Sequence, residues 1–343
     1  MDWFLRPQTT FDKVLLMVVA IALFVAVVGL IMWLVNRPGI RTGWVVFAFL
    51  APVGLMLAVG LFYPAIKTVW QSFQTTRNAI GPDGKAIRGV GNKILTENTF
   101  SAANYGRIFS DSAQLHVLLN TALWVVLVPV LATAIGLIYA VLVDRTRFEK
   151  FAKALMFLPM AISMVGASII WKFVYDYKQT GSQIGLANQF LIWIGLKSYN
   201  FLLNDPWNTV FLIFVMVWIQ AGFAMTILSA AIKAVPDDII EAAQIDGATG
   251  FKLFRKVTVP SIRPSIVVVI TTIAMTSLKA FDVVRTMTGG QYGTSVVANE
   301  FYTQTFRANN SGLGAALAVV LFIIIIPVIV YNVRQMRMSE AVR

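Results

Sequence analysis

Long apolar runs separated by polar segments dominate the sequence. Seven of these runs are long enough to cross a bilayer, since about 20 helical residues span its hydrocarbon core. Because lipid offers no hydrogen-bonding partner to a bare backbone, we expect each run to form a continuous helix. The predicted spans cover residues 13–35, 43–66, 115–143, 152–175, 207–232, 265–284 and 313–333. Prolines inside them, such as Pro52 and Pro159, are of a kind that membrane helices tolerate.

Lys and Arg in the segments between spans indicate an orientation. Cytoplasmic loops of membrane proteins carry an excess of these residues. With seven spans, four basic segments fall on one side, which we assign to the cytoplasm. They are residues 36–42, 144–151, 233–264 and 334–343. The N-terminus is then external and the C-terminus cytoplasmic.

The longest external segment, 67–114, is expected to form a small folded cap. It contains the sequence Gly-Pro-Asp-Gly at residues 81–84, which is typical of a tight turn. A further apolar run at 184–196 is too short to cross the bilayer. We expect it to form a helix that lies on, or dips into, the outer face.

The composition excludes several other classes of protein. Hydrophobic residues make up 58% of the chain and charged residues only 13%, whereas soluble domains carry about 25% charge. The net charge of +12 fits cytoplasmic loops at a membrane better than a nucleic-acid surface. The chain has no Cys and a single His, His116, so we predict no disulfide and no metal site. No signal-peptide pattern precedes the first apolar run, which we interpret as a retained span.

The segment 234–264 has the clearest local pattern. Pro236 suits the first position of a helix, and Asp237 and Asp238 then occupy a first turn in which the helix dipole favours anions. Gly247 can adopt the left-handed conformation that ends a helix. A second short helix is predicted at about 250–258. The segment is therefore a helix–turn–helix of about 30 residues at the cytoplasmic face.

Two interpretations of this segment are open from the residues alone. It could be an amphipathic connector resting on lipid. Alternatively, it could dock on a partner, because Ala242 and Ala243 allow close backbone approach while Glu241 and Asp246 offer charges.

The spacing within this segment resembles the EAA signature of binding-protein-dependent importer permeases. The signature consists of Glu-Ala-Ala, three residues, Gly, nine residues, two aliphatic residues separated by one residue, and Pro. Its positions here are Glu241, Ala242, Ala243, Gly247, Val257, Val259 and Pro260. The flanking residues resemble the sugar-specific branch, most closely the larger permease of maltose importers. At 288–290, Thr-Gly-Gly resembles a second element of that branch, although Gln291 replaces its usual Pro.

The resemblance implies an all-α integral membrane protein. Residues 43–343 would form the six-helix importer core, and residues 1–42 would add one N-terminal helix. A cytoplasmic coupling helix would enter a cleft on a separate ATPase subunit through Glu241, Ala242, Ala243, Asp246, Gly247 and Pro260. No Gly-x₄-Gly-Lys-Ser/Thr phosphate loop occurs in the chain, so we expect no cofactor here and ATP with Mg on the partner ATPase.

The resemblance also implies the partners and the location of the protein. These are a second permease subunit, a dimer of cytoplasmic ATPases, an external substrate-binding protein, a sugar and membrane lipid, but no nucleic acid. The location is the plasma membrane.

In maltose permeases the sugar contacts come from the spans before and after the coupling loop. Polar and aromatic residues share a face in each of these spans here. They are Trp218, Gln220 and Phe223 in the first and Thr276 and Lys279 in the second. An amide can donate to and accept from hydroxyls, and a ring can stack on a pyranose. Alternatively, Gln220 joins helices, Thr276 bonds its own helix and Lys279 snorkels to the interface.

Three other functions remain as alternatives. The importer could carry another polar solute such as glycerol-phosphate, although a phosphate ligand favours an Arg cluster that the spans lack. A self-sufficient secondary transporter would have midplane acidic residues or His, which are almost absent. A membrane enzyme would need a clustered catalytic set, and the sequence contains no such set.

Overall fold

A computed structural model describes residues 10–35, 41–78, 96–144, 146–278 and 280–341. The chain divides into two compact units, residues 1–67 and 68–343. The boundary predicted after residue 42 is a different one. It separates the extra N-terminal span from the six spans of the importer core.

The first unit consists of long apolar helices. They are α1 (Thr10–Val35) and α2 (Thr42–Leu57), which continues through a π-helical turn (Ala58–Phe62) into α3 (Tyr63–Ser72). Their large side chains are exposed on every side; Phe24 and Phe47, for example, expose 59% and 62% of their surface. A helix that is apolar all round belongs in lipid or against another membrane helix. Pro52 lies inside α2, where the helix continues as predicted.

The second unit contains a small hairpin and most of the helices. In it, β1 (Gln74–Asn78) and β2 (Thr96–Phe100) pair antiparallel, with Gln74 opposite Phe100. Short 3₁₀ or π segments lie at Leu158–Ala161, Phe254–Thr258 and Thr303–Arg307. The helices are α4 (Ala103–Ser110), α5 (Ser112–Val143), α6 (Glu149–Phe157), α7 (Met164–Val174), α8 (Leu186–Trp193), α9 (Trp207–Lys233), α10 (Asp237–Ile245), α11 (Gly250–Leu253), α12 (Val259–Ser261), α13 (Arg263–Ser277), α14 (Phe281–Met287), α15 (Val297–Tyr302) and α16 (Ser311–Ala341).

The described helices supply between five and seven candidate spans. Five helical segments are long and apolar enough to cross a bilayer, and two bent pairs bring the number to seven if each pair is one span. Seven is the number that the apolar runs predict. The fold is that of an all-α integral membrane protein, and the sequence pattern did not predict the polar hairpin.

The predicted continuous helix at 152–175 is wrong. The segment Glu149–Ala161 meets Met164–Val174 at 101°. Pro159 lies in the 3₁₀ turn Leu158–Ala161, and the Ser163 hydroxyl accepts a hydrogen bond of 3.1 Å from the Gly166 amide. A proline alone need not break a membrane helix. Here Ser163 also caps a new helix, because its hydroxyl accepts from one of the amides that a helix start leaves free.

Despite the bend, this segment runs the length of α9 in the opposite direction. Lys153 donates to Ser229 near the end of α9. A Cβ on Gly222 would lie 2.3 Å from the carbonyl oxygen of Met156. Further on, the Trp171 ring is 5.3 Å from that of Phe214. The segment is therefore a broken span, since a re-entrant loop would return to the end at which it started.

The predicted span 265–284 is also shorter than expected. The helix α13 ends at Ser277, and α14 begins separately at Phe281. The hydroxyls of Thr276 and Ser277 donate back to the carbonyls of Thr272 and Ala274, at 3.0 and 2.8 Å. Such back-bonding competes with the helix ladder and favours a bend or an end.

The core of the second unit lies between α5 and α9. Trp124 and Val128 on α5 and Leu212, Met216 and Leu228 on α9 are fully buried. The two helices are closest at Gly136, where a Cβ would lie 2.5 Å from that of Ala224. Small residues of this kind let membrane helices pack backbone against backbone.

The hairpin is anchored to helices at the end where α5 begins. The Asn104 amide donates to the carbonyls of Ser72 and Gln74, at 2.9 and 3.0 Å. A Cβ on Gly312, at the start of α16, would lie 2.0 Å from the Gln74 oxygen. The external segment thus has folded ends, whereas its predicted turn at 81–84 lies outside the described residues.

Candidate functional site

The loop between α9 and α13 has the predicted helix–turn–helix form. Asp237 and Asp238 occupy the first turn of α10, where the free backbone amides favour negative charge. Gly247 has φ of +77°, the left-handed conformation that the sequence predicts. Pro236 is the residue before the helix and not its first residue, a correction of one position.

Hydrogen bonds close the end of α10. The Ala248 amide donates to the Ala243 carbonyl at 2.9 Å, and the Gly247 amide donates to Gln244 at 3.0 Å. This pairing satisfies carbonyls that a helix end leaves free. The turn is therefore defined by its backbone, and α10 and α11 hold a fixed relation across Gly247.

The signature residues of this loop are mostly exposed. Glu241, Ala242, Asp246, Gly247 and Pro260 are exposed, and Ala243 is half-buried. Apolar residues beside them are exposed as well. Ile239, Ile245 and Phe251 expose 46%, 81% and 73% of their surface. Apolar side chains clustered with charges on an exposed loop are typical of a docking surface.

A group of charged side chains lies at the base of this loop. Lys153 is 2.5 Å from the Asp144 carboxylate and 2.8 Å from Glu149. The Ser229 hydroxyl donates to the same Asp144 oxygen at 2.7 Å. Lys233, the last residue of α9, pairs with Glu149. These residues, which we call the basal ion cluster, join the ends of α5, α6 and α9 directly below the loop.

Sequence reasoning missed the basal ion cluster. It treated the basic residues there only as loop charges that set the orientation. A usable signal is present, since Asp144 and Lys233 each stand directly after a long apolar run, where an unpaired charge is costly. The pattern still does not say which charges meet.

The five predicted path residues have different environments. Gln220 is buried at 7% exposure, and no hydrogen bond joins its amide to another described residue. Phe223 is half-buried against the core. The Trp218 ring packs edge-on against Trp171 at 5.6 Å, and Thr276 donates to its own helix. Lys279 lies outside the described residues. Among the described residues, Trp218 packs on a ring, Thr276 bonds its own helix and Gln220 has no hydrogen-bond partner.

The Gly-rich segment 288–296 forms a folded loop held by two buried asparagines. Gly289, Gly290 and Gly293 have φ between +68° and +81°. The amide of Asn120 on α5 donates to the Gly293 and Ser295 carbonyls, and that of Asn208 on α9 donates to Tyr292 at 2.7 Å. The residues that follow the Thr-Gly-Gly element therefore connect α5 with α9.

Metal chemistry finds no support in the described part of the chain. Its His, Asp and Glu side chains form no group of three or more that could hold an ion. The arrangement instead offers a docking loop at one end of the bundle and a buried amide midway along it.

Comparison with known families gives a match over most of the second unit. Residues 125–337 match the sequence model of the family described as "binding-protein-dependent transport system inner membrane component". This range includes α9, the loop with the signature residues and nearly all of α16.

Two relatives are each 42% identical to the chain. The osmoprotective compounds uptake permease protein GgtC of Synechocystis sp. aligns over 86% of this chain and 100% of its own length. The alpha-glucoside transport system permease protein AglF of Rhizobium meliloti aligns over 84% and 81%. The sn-glycerol-3-phosphate transport system permease protein UgpA of Escherichia coli O157:H7 is 27% identical over 89% and 97%.

A solved structure shares the fold. It is that of a bacterial alginate ABC transporter in complex with an alginate pentasaccharide-bound periplasmic protein. One of its chains superimposes with a TM-score of 0.66 over 86% of this chain and 95% of its own, at 20% identity.

Proposed function

Because the chain belongs to the family of binding-protein-dependent transport system inner membrane components, we propose that it is a permease subunit that imports a di- or oligosaccharide. It is a multi-pass protein of the inner membrane. In our proposal it forms half of the translocation path and pairs with a second permease subunit, two cytoplasmic ATPase subunits and an external binding protein.

The observation that carries this proposal is the geometry of the α10 loop. The signature residues Glu241, Ala242 and Asp246 are exposed on a helix whose end is fixed by Gly247 at φ +77°. A short helix that is stiff at its base and exposed at its tip can transmit a rigid-body movement from a partner. We therefore assign coupling to the ATPase to this loop, and ATP with Mg to the partner, since the chain has no phosphate loop.

The sugar assignment is supported by the alpha-glucoside relative at 42% identity. The second candidate solute is glycerol-phosphate, because a relative at 27% identity is named for it. A phosphate ligand favours Arg or Lys along the path. Gln220, one of the buried polar residues of α9, is a neutral amide, which fits the hydroxyls of a neutral sugar.

The test is the ATPase rate of the purified complex of both permeases and the ATPase dimer, with the binding protein added. We expect maltose, sucrose or trehalose to stimulate hydrolysis, and the isolated chain to hydrolyse no ATP. Stimulation by sn-glycerol-3-phosphate alone would overturn the sugar assignment. Hydrolysis by the isolated chain would overturn the assignment of ATP hydrolysis to the partner ATPase.

A further inference from the structure

A pocket lies at the end of the bundle opposite the α10 loop. It is an open depression with a volume of about 480 Å³, and it is lined by the first turns of α5, the 288–296 loop and α15. This volume falls in the range of roughly 300–1,000 Å³ typical of small-molecule sites. The position of the pocket follows from the path of the chain, because α5 and α9 both begin beside the 288–296 loop and both end at the basal ion cluster.

A buried amide lines the pocket, and its oxygen has no hydrogen-bond partner among the described residues. Gln114 is 5% exposed and lines the pocket, and its Oε1 is buried without a hydrogen bond among the described residues. In the described part of the chain, the buried Oδ1 of Asn299 also has no hydrogen-bond partner. Asn299 lies against the lining residue Gly290: a Cβ added to Gly290 would lie 2.1 Å from the Nδ2 of Asn299. Buried oxygens of this kind are costly unless a ligand or water donates to them.

The remaining lining groups indicate which ligand would fit. His116 and Ser295 add an imidazole and a hydroxyl, and Glu300 adds one carboxylate, which already accepts from Gln304 at 2.7 Å. No Lys or Arg is among the described residues that line the pocket, so an anion has no counter-charge. Asp205 lies beside the lining residue Gly293, but the described residues form no group of three His, Asp or Glu that could hold a metal ion. Groups that both donate and accept match neighbouring hydroxyls.

We propose that this pocket is an outer sugar subsite, in which Gln114 and His116 bind hydroxyl groups of the solute before it enters the path. The proposal rests on the proposed function and deepens it. Asn208 on α9 donates a hydrogen bond to the 288–296 loop. A sugar in the pocket would therefore contact a loop that is bonded to α9, the helix that also contains Gln220.

Cysteine protection tests the subsite. The chain has no Cys, so Ala113→Cys places one thiol of this chain on the exposed rim of the pocket. Ala102→Cys, exposed just before α4, is the matched control. In the assembled complex without the binding protein, we expect maltose, sucrose or trehalose to slow maleimide labelling at Ala113→Cys but not at Ala102→Cys. Adding Gln114→Met should raise the half-protecting concentration roughly two- to tenfold, as expected for one lost hydrogen bond.

Each other outcome separates the subsite from the proposed function. No protection by a sugar that still stimulates ATP hydrolysis would overturn the subsite alone. A thiol that reacts in the isolated chain but not in the sugar-free complex would mean that another subunit covers the pocket, which also overturns it. Protection by sn-glycerol-3-phosphate and not by a disaccharide would overturn the sugar chemistry. Because Ala113 is exposed, these results do not depend on whether Gln114→Met folds.

Discussion

Among single residues, Gly247 has a backbone conformation that side chains rarely adopt. Its φ is +77°, while nothing lies within 4 Å of the position that a Cβ would take. A side chain there meets no clash and suffers only backbone strain, of about 1–2 kcal/mol for an L-residue and more for a β-branched one. We expect Gly247→Val to abolish uptake while the chain still reaches the membrane, and Gly247→Asn to retain much of it.

The control for this prediction is Gly106→Val, at another open glycine position with an ordinary helical φ. Uptake, the amount of chain in the membrane and co-purification of the ATPase are measured together. Normal uptake by Gly247→Val would identify the loop as a lipid-facing connector.

Gln220 gives a second prediction at this scale. Gln220 is 7% exposed and its amide has no hydrogen-bond partner among the described residues, so Gln220→Leu breaks no hydrogen bond among them and should leave thermal stability unchanged or raise it. If Gln220 contacts sugar, uptake should fall or change its sugar preference at the same time. Ile227→Ala, on the exposed side of α9, is the control. Lower stability with normal uptake would assign Gln220 a role in helix packing only.

Residue types predict backbone geometry better than they predict contacts. The φ of Gly247 and the acidic first turn of α10 follow from local rules that involve only neighbouring residues. The partners of Trp218 and Thr276 depend on rotamers and on distant helices. A stripe of polar and aromatic residues at helical spacing therefore locates a face, without showing which members reach a ligand.

At the scale of elements, the basal ion cluster is expected to hold the root of the α10 loop. The Asp144 side chain is only 8% exposed and its Oδ2 has no partner among the described residues. Removing one member of a buried pair leaves an uncompensated charge, which costs up to about 3–5 kcal/mol; Lys153, 23% exposed, should give less. We expect Lys153→Met to lower the thermal stability of the complex and to reduce the stimulation of ATP hydrolysis by sugar.

Two variants make this prediction specific. Lys150→Met removes an exposed charge three residues away and should have little effect. Adding Asp144→Asn to Lys153→Met removes the stranded charge and should recover part of the stability. Equal melting temperatures for Lys153→Met and Lys150→Met would show that the cluster does not stabilise the fold.

The apolar runs predicted where the helices lie, but they did not predict where the helices break. The cost of an unpaired backbone in lipid forces each apolar run to be helical, so run length alone gives the number of spans. A break at Ser163 or after Ser277 needs only a few hydroxyl bonds that compete with the ladder. Serine and threonine also occur inside unbroken helices, so the sequence does not distinguish the two cases.

At the scale of the second unit, the bundle has two chemically different ends. One end carries the basal ion cluster and the α10 loop. The other end carries the 288–296 loop, the hairpin and the pocket that contains Gln114 and His116. The buried helices α5 and α9 connect them. A binding event at one end and ATP hydrolysis at the other can then be linked by rigid movement of these helices.

The side of the membrane on which each end lies is the last prediction. Lys150 lies at the start of the broken span, Gly195 lies beyond its other end, and Ser339 lies at the end of α16, which starts beside the hairpin. From the basic loops we expect reporter fusions at Lys150 and Ser339 to be cytoplasmic and a fusion at Gly195 to be external. If Lys150 and Gly195 report the same side, the segment 149–175 is re-entrant and is not a broken span. If all three signals are inverted, the spans stand and only the charge rule fails, because the external loops are themselves basic.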